Sequence, residues 1–237
     1  NYLAQRAKLI DPRRAMTRPT AGLPPGAIAA VFGRDATQES SGTTHISIVD
    51  TDGNAVSMTS TIESAFGSGL WASGFLLNNE LTDFSFRPTD EDDRPTANRI
   101  EPSKRPRSSM APTVIFDPEG NLLSVLGSPG GSRIILYVLK AIVGLIDWKL
   151  DAQAVASIRN FGSRGRDLSV EYGEALTTDI FSVLMRAPSV WHGLQLRAFG
   201  HRIRPTLMTS GLHIVHRNGK HFEGGADPRR EGVALGD

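Results

Sequence analysis

The stretch from Gly42 to Phe66 constrains the fold more than any other part of the sequence, because it predicts a β-hairpin together with its register. Apolar residues alternate with Ser and Thr on both sides of Thr51-Asp52-Gly53, which is the periodicity of two strands around a turn. A pairing of Asp50 with Asn54 across this turn would fix every other pair along the hairpin.

This register places the hydroxyls of Thr43 and Thr61 side by side at the open end of the hairpin. A shift of one residue would turn Thr61 to the opposite face. The remaining pairs form an apolar face, Ile46–Met58 with Ile48–Val56, and a polar face, His45–Thr59 with Ser47–Ser57. Paired hydroxyls on neighbouring strands are usually structural, so the hairpin alone favours a structural role for the two threonines over a catalytic one.

The composition excludes several classes of site. The chain of 237 residues has no cysteine, which removes disulfides, thiolate nucleophiles and thiolate metal sites. Its six histidines lack metal-ligand spacing, so no metal is predicted. The basic run Lys104–Arg107 follows the acidic run 89–93, which offsets its charge, and the net charge is only +1. A nucleic-acid partner is therefore not predicted.

The order of segments predicts two regions that meet at Gly42. Residues 1–42 begin without Met in a helix-like run and continue as a Pro-rich, polar linker, as expected for a C-terminal piece of a longer precursor. Residues 43–237 form the second region. Its predicted elements are strands at 113–116 and 122–126, helices at 134–146, 151–160 and 178–187, and a closing hairpin of 212–216 with 220–223, whereas 67–84 and 85–107 are predicted as loops.

Two further patterns carry possible chemistry. Glu80 and Asp83 are three residues apart, so a single helical turn would direct both carboxylates the same way, although this stretch by itself is more typical of a capped surface turn. The Gly-rich stretch Gly127–Arg133 lies between a predicted strand and a helix, where free N–H groups can face a negative charge. It lacks the lysine of a phosphate loop, which favours an oxyanion site over a nucleotide site. A tight structural connection is the alternative.

Taken together, the motifs resemble the γ-glutamyltransferase (γ-glutamyltranspeptidase) family. Residues 43–237 resemble its whole small subunit and residues 1–42 the end of its large subunit. Seven blocks match in the family's order: Thr43-Thr44-His45, Asp52-Gly53-Asn54, Thr61-Ile62-Glu63, Asn78–Phe84, Lys104-Arg105-Pro106 with Ser108-Ser109-Met110, Gly127–Arg133, and Asp227-Pro228-Arg229.

The resemblance implies an α+β fold, the αββα sandwich of the N-terminal nucleophile hydrolases, with two stacked antiparallel sheets between helix layers. It also implies cleavage of the precursor between Gly42 and Thr43. Thr43 would then be the nucleophile, with its new α-amine as the base, and Thr61 would orient it. An α-amine suits this role because its ordinary pKa is about 7.7–8.0.

The resemblance further assigns the substrate-binding residues. Glu63, Glu80 and Asp83 would hold the α-amino group of a γ-glutamyl donor, Ser108 and Ser109 its α-carboxylate, and the N–H groups of Gly130 and Gly131 the oxyanion. The implied partners are the large subunit of the same precursor, which carries a further carboxylate-binding arginine, glutathione or another γ-glutamyl donor, and an amino acid, peptide or water as acceptor.

The resemblance implies no cofactor and a periplasmic or secreted location. The lid pattern of some relatives is missing from residues 85–103. A same-fold acylase, such as a cephalosporin or glutaryl acylase, and an unprocessed, inactive binding or scaffold relative are the alternatives.

Overall fold

A computed structural model describes residues 1–16, 19–27, 32, 33, 35, 42–165, 167–172 and 195–236. The chain divides into two compact units, one of Asn1–Ala30 with Arg159–Met208 and one of Val31–Ile158 with Thr209–Asp237. The predicted helix at 178–187 lies outside the described residues. The sequence predicts a boundary at Gly42 because the chain is expected to be cleaved there, whereas the two units are defined by their compactness. The boundary at Gly42 therefore stays a prediction.

The regular elements follow one another in this order: α1 (Tyr2–Ala7), β1 (Thr43–Val49), β2 (Ala55–Thr61), β3 (Trp71–Ala72), β4 (Phe75–Leu76), β5 (Thr113–Phe116), β6 (Leu122–Gly127), α2 (Ile134–Ile146), α3 (Ala152–Ser157), β7 (Phe161–Ser163), β8 (Asp167–Glu171), β9 (Arg202–Thr206), β10 (His213–Asn218) and β11 (His221–Ala226). Short 3₁₀ turns span Glu80–Asp83 and Gly131–Arg133. In the first unit, β8 pairs antiparallel with β7 and parallel with β9.

The hairpin β1–β2 has the predicted register. Thr43 pairs with Thr61, and the apolar and polar pairs face each other as the alternation predicts. The turn is closed by the Asp50 carboxylate, which accepts hydrogen bonds from the backbone N–H groups of Asp52 and Asn54 at 3.0 and 2.8 Å. An aspartate that bonds the backbone two residues on stabilises such a turn, which explains why the pairing begins at this position.

In the second unit, two antiparallel sheets are stacked, with helices on the far side. The hairpin β1–β2 packs on a four-stranded sheet of order β11-β10-β6-β5, and α2 and α3 cover the other face of that sheet. Buried apolar side chains fill the layer beneath the helices: Leu126, Ile134, Tyr137, Val138, Ala141, Leu145, Val155 and Ile214. The described residues of this unit thus form ββα layers of an α+β sandwich.

The polar face of the hairpin, not its apolar face, packs on the four-stranded sheet. Ser57 Oγ donates to the carbonyl oxygen of Leu126 at 3.0 Å, and Ser47 Oγ donates to that of His213 at 3.0 Å. The opposite face remains exposed: its four side chains are between 42% and 52% exposed, namely Ile46, Ile48, Val56 and Met58. Periodicity indicates two faces but not which one lies inward, because buried hydroxyls are tolerated when they are hydrogen-bonded.

The other predicted elements occur with small shifts at their ends. Helix α2 has the predicted bounds, and α3 begins after Asp151, whose carboxylate accepts a hydrogen bond from Ala154 N at 2.7 Å. The stretch 67–84, predicted as a loop, contains the short strands β3 and β4. Their turn uses Ser73 and Gly74 with φ of 50° and 90°. A serine with positive φ is uncommon, so the sequence offers little signal for this turn.

A buried ion pair connects strand β11 to the end of α3. The Asp227 carboxylate is 1% exposed and accepts hydrogen bonds from Ser210 Oγ at 2.5 Å and from Arg229 Nη1 at 2.9 Å. The same guanidinium donates to the carbonyl oxygens of Ala156 and Ile158. Burial opposes ionisation of Asp227, but the hydrogen bonds from Ser210 and Arg229 outweigh it and lower the pKa of Asp227.

Replacing Asp227 with asparagine should lower the free energy of unfolding by about 3–5 kcal/mol, because the Arg229 charge would stay buried without its counter-ion. Urea denaturation at neutral pH measures this loss. Asp92→Asn is the matched control, since the Asp92 side chain is 70% exposed beside Arg94, and it should cost at most about 1 kcal/mol. Equal losses in the two variants would contradict a stabilising role for the buried pair.

Candidate active site

The open end of the hairpin β1–β2 forms one wall of a small cavity in the second unit. Its lining contains Thr43, Thr61, Glu63, Glu80, Asp83, Arg107, Ser108, Ser109, Met110, Gly131 and Ile134. Every predicted catalytic and substrate-binding residue except Gly130 is therefore brought together, from segments that lie between residues 43 and 131 of the chain. The open space is ≈ 20 Å³, about enough for one water molecule.

The Thr61 hydroxyl contacts the peptide bond that the sequence predicts to be cleaved. Thr61 Oγ1 donates to the carbonyl oxygen of Gly42 at 3.3 Å and accepts from Glu63 N at 2.8 Å. A Cβ atom on Gly42 would lie 2.2 Å from the carbonyl oxygen of Glu63, so only glycine fits at this position. Thr43 is 7% exposed. The hydroxyl pair predicted from the register thus lies next to a tightly packed Gly–Thr peptide.

Three carboxylates share the cavity. Glu80 and Asp83 lie on the 3₁₀ turn Glu80–Asp83, which confirms that one helical turn carries both. Glu63 follows β2 with a φ of 71°, and both Glu63 and Asp83 are buried. Burial raises the pKa of Glu80, and the nearby carboxylates of Asp83 and Glu63 raise it further. A cluster of this kind favours the binding of a cation, which would relieve the repulsion.

Ser108 and Ser109 approach the cavity at the end of the long loop 85–107. Asn98 positions this segment, because its amide nitrogen donates to the carbonyl oxygen of Asp83 at 2.6 Å and its amide oxygen accepts from Arg107 N at 2.9 Å. No local pattern gave Asn98 or Arg107 a role in this site, because both lie in a charged stretch without periodicity and Arg107 was noted only as the end of the basic run Lys104–Arg107. The adjacency of Arg107 to Ser108 was the only available signal.

The Gly-rich turn brings Gly131 to the cavity, just before α2. Gly130 and Gly131 have φ of 136° and 55°, and a Cβ atom on Gly130 would lie 2.5 Å from the ring of Tyr137. The turn is also fixed by Ser128, whose hydroxyl accepts a hydrogen bond from Gly211 N at 3.1 Å. Two successive glycines are thus needed for both the backbone conformation and the close packing against the helix.

Arg230, which the sequence did not single out, contacts the candidate nucleophile Thr43. Arg230 Nη1 donates to the carbonyl oxygen of Thr43 at 3.4 Å, and Arg230 Nη2 donates to that of Thr209 at 3.1 Å. Arg230 lies in a turn that follows β11. Its contact with β1 depends on the tertiary fold, so no local pattern indicates it.

Beneath Thr43, a neutral histidine joins the two sheets. Ser47 Oγ donates its proton to the carbonyl oxygen of His213, so it must accept from His45 Nε2 at 3.1 Å. The other ring nitrogen, Nδ1, then accepts from Thr59 Oγ1 at 2.7 Å. His45 is 2% exposed. Burial and the nearby His213 lower the pKa of His45 to about 4, so this bond pattern persists at neutral pH.

The stability of the fold should therefore decrease as the pH falls from about 6.5 to 4. In this range His45 takes up a proton in the unfolded state but stays neutral in the folded state. This difference lowers the free energy of unfolding by up to about 3 kcal/mol. Urea denaturation of wild type and His45→Gln over this range tests the effect. The stability difference between the two should shrink as the pH falls, because only wild type carries the proton-linked penalty at His45. A constant difference would contradict the prediction.

Two other kinds of feature are missing from the described residues. Within that part of the chain, no group of three or more histidine, aspartate or glutamate side chains could hold a metal ion. None of the helices in the same residues is long and apolar enough to cross a membrane. A larger cleft of ≈ 830 Å³ lies along the loop of residues 85–107, and this cleft is lined by residues such as Phe86, Arg87 and Glu91. It contains none of the predicted site residues.

Two curated proteins illustrate what this chain is similar to in sequence. A glutathione hydrolase proenzyme of Bacillus subtilis is 36% identical over 200 residues, which are 82% of this chain and 30% of that protein. Its counterpart in Pseudomonas aeruginosa is 34% identical over an alignment of 243 positions that covers 99% of this chain and 39% of that protein. The chain thus spans less than half the length of these relatives.

Solved structures show the same fold. The γ-glutamyltranspeptidase from Pseudomonas nitroreducens complexed with L-DON superposes with a TM-score of 0.64 at 32% identity, over 82% of this chain and 99% of that one. A cephalosporin acylase from Bacillus halodurans superposes with a TM-score of 0.60 at 23% identity, over 84% of this chain and 36% of that one. At this identity the likeness shows the fold alone. Both superpositions confirm the predicted N-terminal nucleophile hydrolase fold.

The sequence profile of the gamma-glutamyltranspeptidase family matches residues 1–237, the whole of the chain. The matched residues include those that line the cavity, the hairpin that positions Thr43 and the Gly-rich turn before α2. From the profile, the curated relatives and the shared fold, we conclude that the chain belongs to the gamma-glutamyltranspeptidase family.

Proposed function

We propose that this chain contains the catalytic site of a self-processing γ-glutamyl transferase and hydrolase that acts on glutathione and other γ-glutamyl compounds. One observation carries the proposal: a single cavity combines Thr43, a second hydroxyl, three carboxylates and two serines. The names of the curated relatives, which are glutathione hydrolase proenzymes, support the substrate. The large subunit of the same precursor would complete the enzyme, in the periplasm or outside the cell.

The contact between Thr61 and Gly42 supports self-cleavage of the chain. The Thr43 hydroxyl attacks the Gly42 carbonyl carbon, and the hydrogen bond from Thr61 stabilises the negative charge that develops on the carbonyl oxygen. The C–N bond breaks, the nitrogen takes up the proton of the hydroxyl, and an ester remains. Water then hydrolyses the ester, leaving a carboxylate on Gly42 and a free α-amine on Thr43.

The same threonine would then act on the substrate. Its α-amine accepts the hydroxyl proton, and Thr43 Oγ1 attacks the γ-carbonyl carbon of the donor. N–H groups of Gly130 and Gly131 would stabilise the oxyanion. The amine of the donor leaves with the proton, and water or an acceptor amine resolves the γ-glutamyl ester. The acceptor would be an amino acid, a peptide or water.

The mass of the processed chain tests the proposal. The chain is co-expressed with the residues that precede Asn1, incubated with γ-glutamyl p-nitroanilide and quenched in acid. We expect a fragment beginning at Thr43 that gains the mass of one γ-glutamyl group, together with release of p-nitroaniline. A folded, homogeneous chain that is neither cleaved nor acylated would contradict the proposal and favour an inactive scaffold.

Replacing Gly131 with valine should lower kcat by about 10²–10³-fold and change KM little, if its N–H group faces the oxyanion. Steady-state kinetics on the processed enzyme measures both constants. Gly120→Val is the matched control, because Gly120 also has a positive φ, of 85°, but no atom lies within 4 Å of its Cβ position. Similar turnover in the two variants would indicate that the Gly-rich turn is only a structural connection.

A further inference from the structure

We propose that Arg107 binds the α-carboxylate of the donor substrate and that the carboxylate of Asp35 takes this place in the uncleaved chain. The inference rests on the proposed function and adds a residue to the binding site. The resemblance assigns carboxylate binding to Ser108, Ser109 and an arginine outside this sequence. The structure adds a cation from the chain itself.

The charges around the cavity call for such a cation. Among the described residues that line it, Arg107 is the one positive side chain beside three carboxylates. The ammonium and the carboxylate of a γ-glutamyl donor are bonded to the same carbon atom. Carboxylates that attract the ammonium therefore also repel the neighbouring carboxylate, unless a cation lies close by. Arg107 directly precedes Ser108 and Ser109, so the cation and the two hydroxyls share one stretch of backbone.

The guanidinium of Arg107 already binds a carboxylate. Its Nη1 lies 2.9 Å from Asp35 Oδ2, and the two side chains are 31% and 16% exposed. Asn98 fixes the arrangement, because its amide nitrogen donates to Asp35 Oδ2 at 3.0 Å and its amide oxygen accepts from Arg107 N at 2.9 Å. The same amide nitrogen donates to the carbonyl oxygen of Asp83. Asn98 thus links the carboxylate bound by Arg107 to the turn Glu80–Asp83, whose last residue, Asp83, is one of the acids in the cavity.

Asp35 precedes the predicted cleavage point, whereas Arg107 follows it. The segment around Asp35 is held by a backbone hydrogen bond from Gly33 N to the carbonyl oxygen of Pro95 at 2.9 Å. Cleavage after Gly42 would remove the covalent connection between this segment and Arg107. A substrate carboxylate could then replace that of Asp35 without a change in charge, because a guanidinium binds both in the same way.

The small size of the cavity agrees with this exchange. Its open space of ≈ 20 Å³ holds about one water molecule, so an amino-acid head group can enter only after a rearrangement. The segment with Asp35 is the part that cleavage releases. Before cleavage, its carboxylate keeps Arg107 paired in the absence of substrate.

Two substrates that differ only at the α-carboxylate test the inference in the processed enzyme. They are γ-glutamyl p-nitroanilide and its analogue with an α-carboxamide. We expect wild type to prefer the carboxylate by about 10–100-fold in kcat/KM. Arg107→Leu should lose most of this preference through a lower kcat/KM for the carboxylate alone, and Arg107→Lys should retain part of it. Asp35→Asn should lower KM for the carboxylate substrate, since it removes the competing charge.

Equal losses on both substrates in Arg107→Leu would show that Arg107 is only a structural partner of Asp35, and would overturn the inference. If Arg107→Leu does not yield processed enzyme, Arg107→Lys and Asp35→Asn carry the test. The inference would also be overturned if Arg107→Lys keeps the full preference for the carboxylate substrate and Asp35→Asn leaves the KM for that substrate unchanged. Absence of γ-glutamyl turnover in wild type would instead refute the proposed function on which the inference rests.

Discussion

Replacing Thr43 with alanine should leave the Gly42–Thr43 peptide bond intact and lower the turnover of γ-glutamyl anilides by about 10⁶-fold, by analogy with the loss of a catalytic serine. Both effects have one cause, because the same hydroxyl would attack the Gly42 carbonyl and later the substrate. Intact-mass analysis with N-terminal sequencing measures cleavage, and p-nitroaniline release measures turnover. Cleavage after Gly42 in the Thr43→Ala chain would show that another protease cuts it.

The neighbouring threonine provides a matched control. Thr44 has the same side chain and lies on the same strand, but it points to the opposite face and is exposed. Thr44→Ala should therefore be cleaved and remain active. Thr61→Ala should be cleaved more slowly than wild type, because it lacks the hydroxyl that bonds the Gly42 carbonyl oxygen. Equal cleavage rates in Thr61→Ala and wild type would contradict the role assigned to this hydrogen bond.

Much of the fold near the site could be predicted from local sequence. The alternation around Thr51-Asp52-Gly53 fixed the register of the hairpin, since a two-residue period admits only one pairing for a given turn. The apolar run 134–146 predicted α2 with its observed bounds. Asp151 indicated the start of α3 through its side-chain oxygen, which satisfies a backbone N–H group that the helix leaves open.

The parts that could not be predicted depend on contacts between distant segments. The inward face of the hairpin is polar because hydroxyls of Ser47 and Ser57 bond carbonyl oxygens of the stacked sheet, and neither carbonyl is near them in sequence. Arg107 and Asn98 acquire their roles from Asp35, which lies 72 and 63 residues away from them in the sequence. The assignment of substrate-binding roles came from the family resemblance rather than from spacing, and it stays a prediction.

The three carboxylates of the cavity predict which acyl group the enzyme accepts. Glu63, Glu80 and Asp83 repel one another, and this repulsion contributes to the raised pKa of Glu80. A substrate ammonium would form charge-assisted hydrogen bonds of about 1.5–3 kcal/mol each with them. A glutaryl group has the same carbon chain without the ammonium, so it would form none of these bonds. The acylase alternative requires the opposite preference.

We therefore expect kcat/KM to favour γ-glutamyl over glutaryl p-nitroanilide by roughly 10⁴-fold, since a site built to bond a polar group rejects an analogue that lacks it. Asp83→Ala should lose much of this preference. Asp52→Ala is the control, because Asp52 is an exposed aspartate in the hairpin turn and its loss should leave the preference unchanged. Comparable kcat/KM values for the two anilides in wild type would favour the acylase.

The pH dependence of this preference separates a bound ammonium from a merely acidic surface. Because Glu80 has a raised pKa, it takes up a proton at a higher pH than an ordinary glutamate as the solution is acidified. The cavity then loses one negative charge, so KM for the γ-glutamyl anilide should rise as the pH falls through this range. KM for the glutaryl anilide should stay level or fall, because the repulsion among the acids decreases. Parallel changes in the two KM values would show that Glu80 does not contact the ammonium.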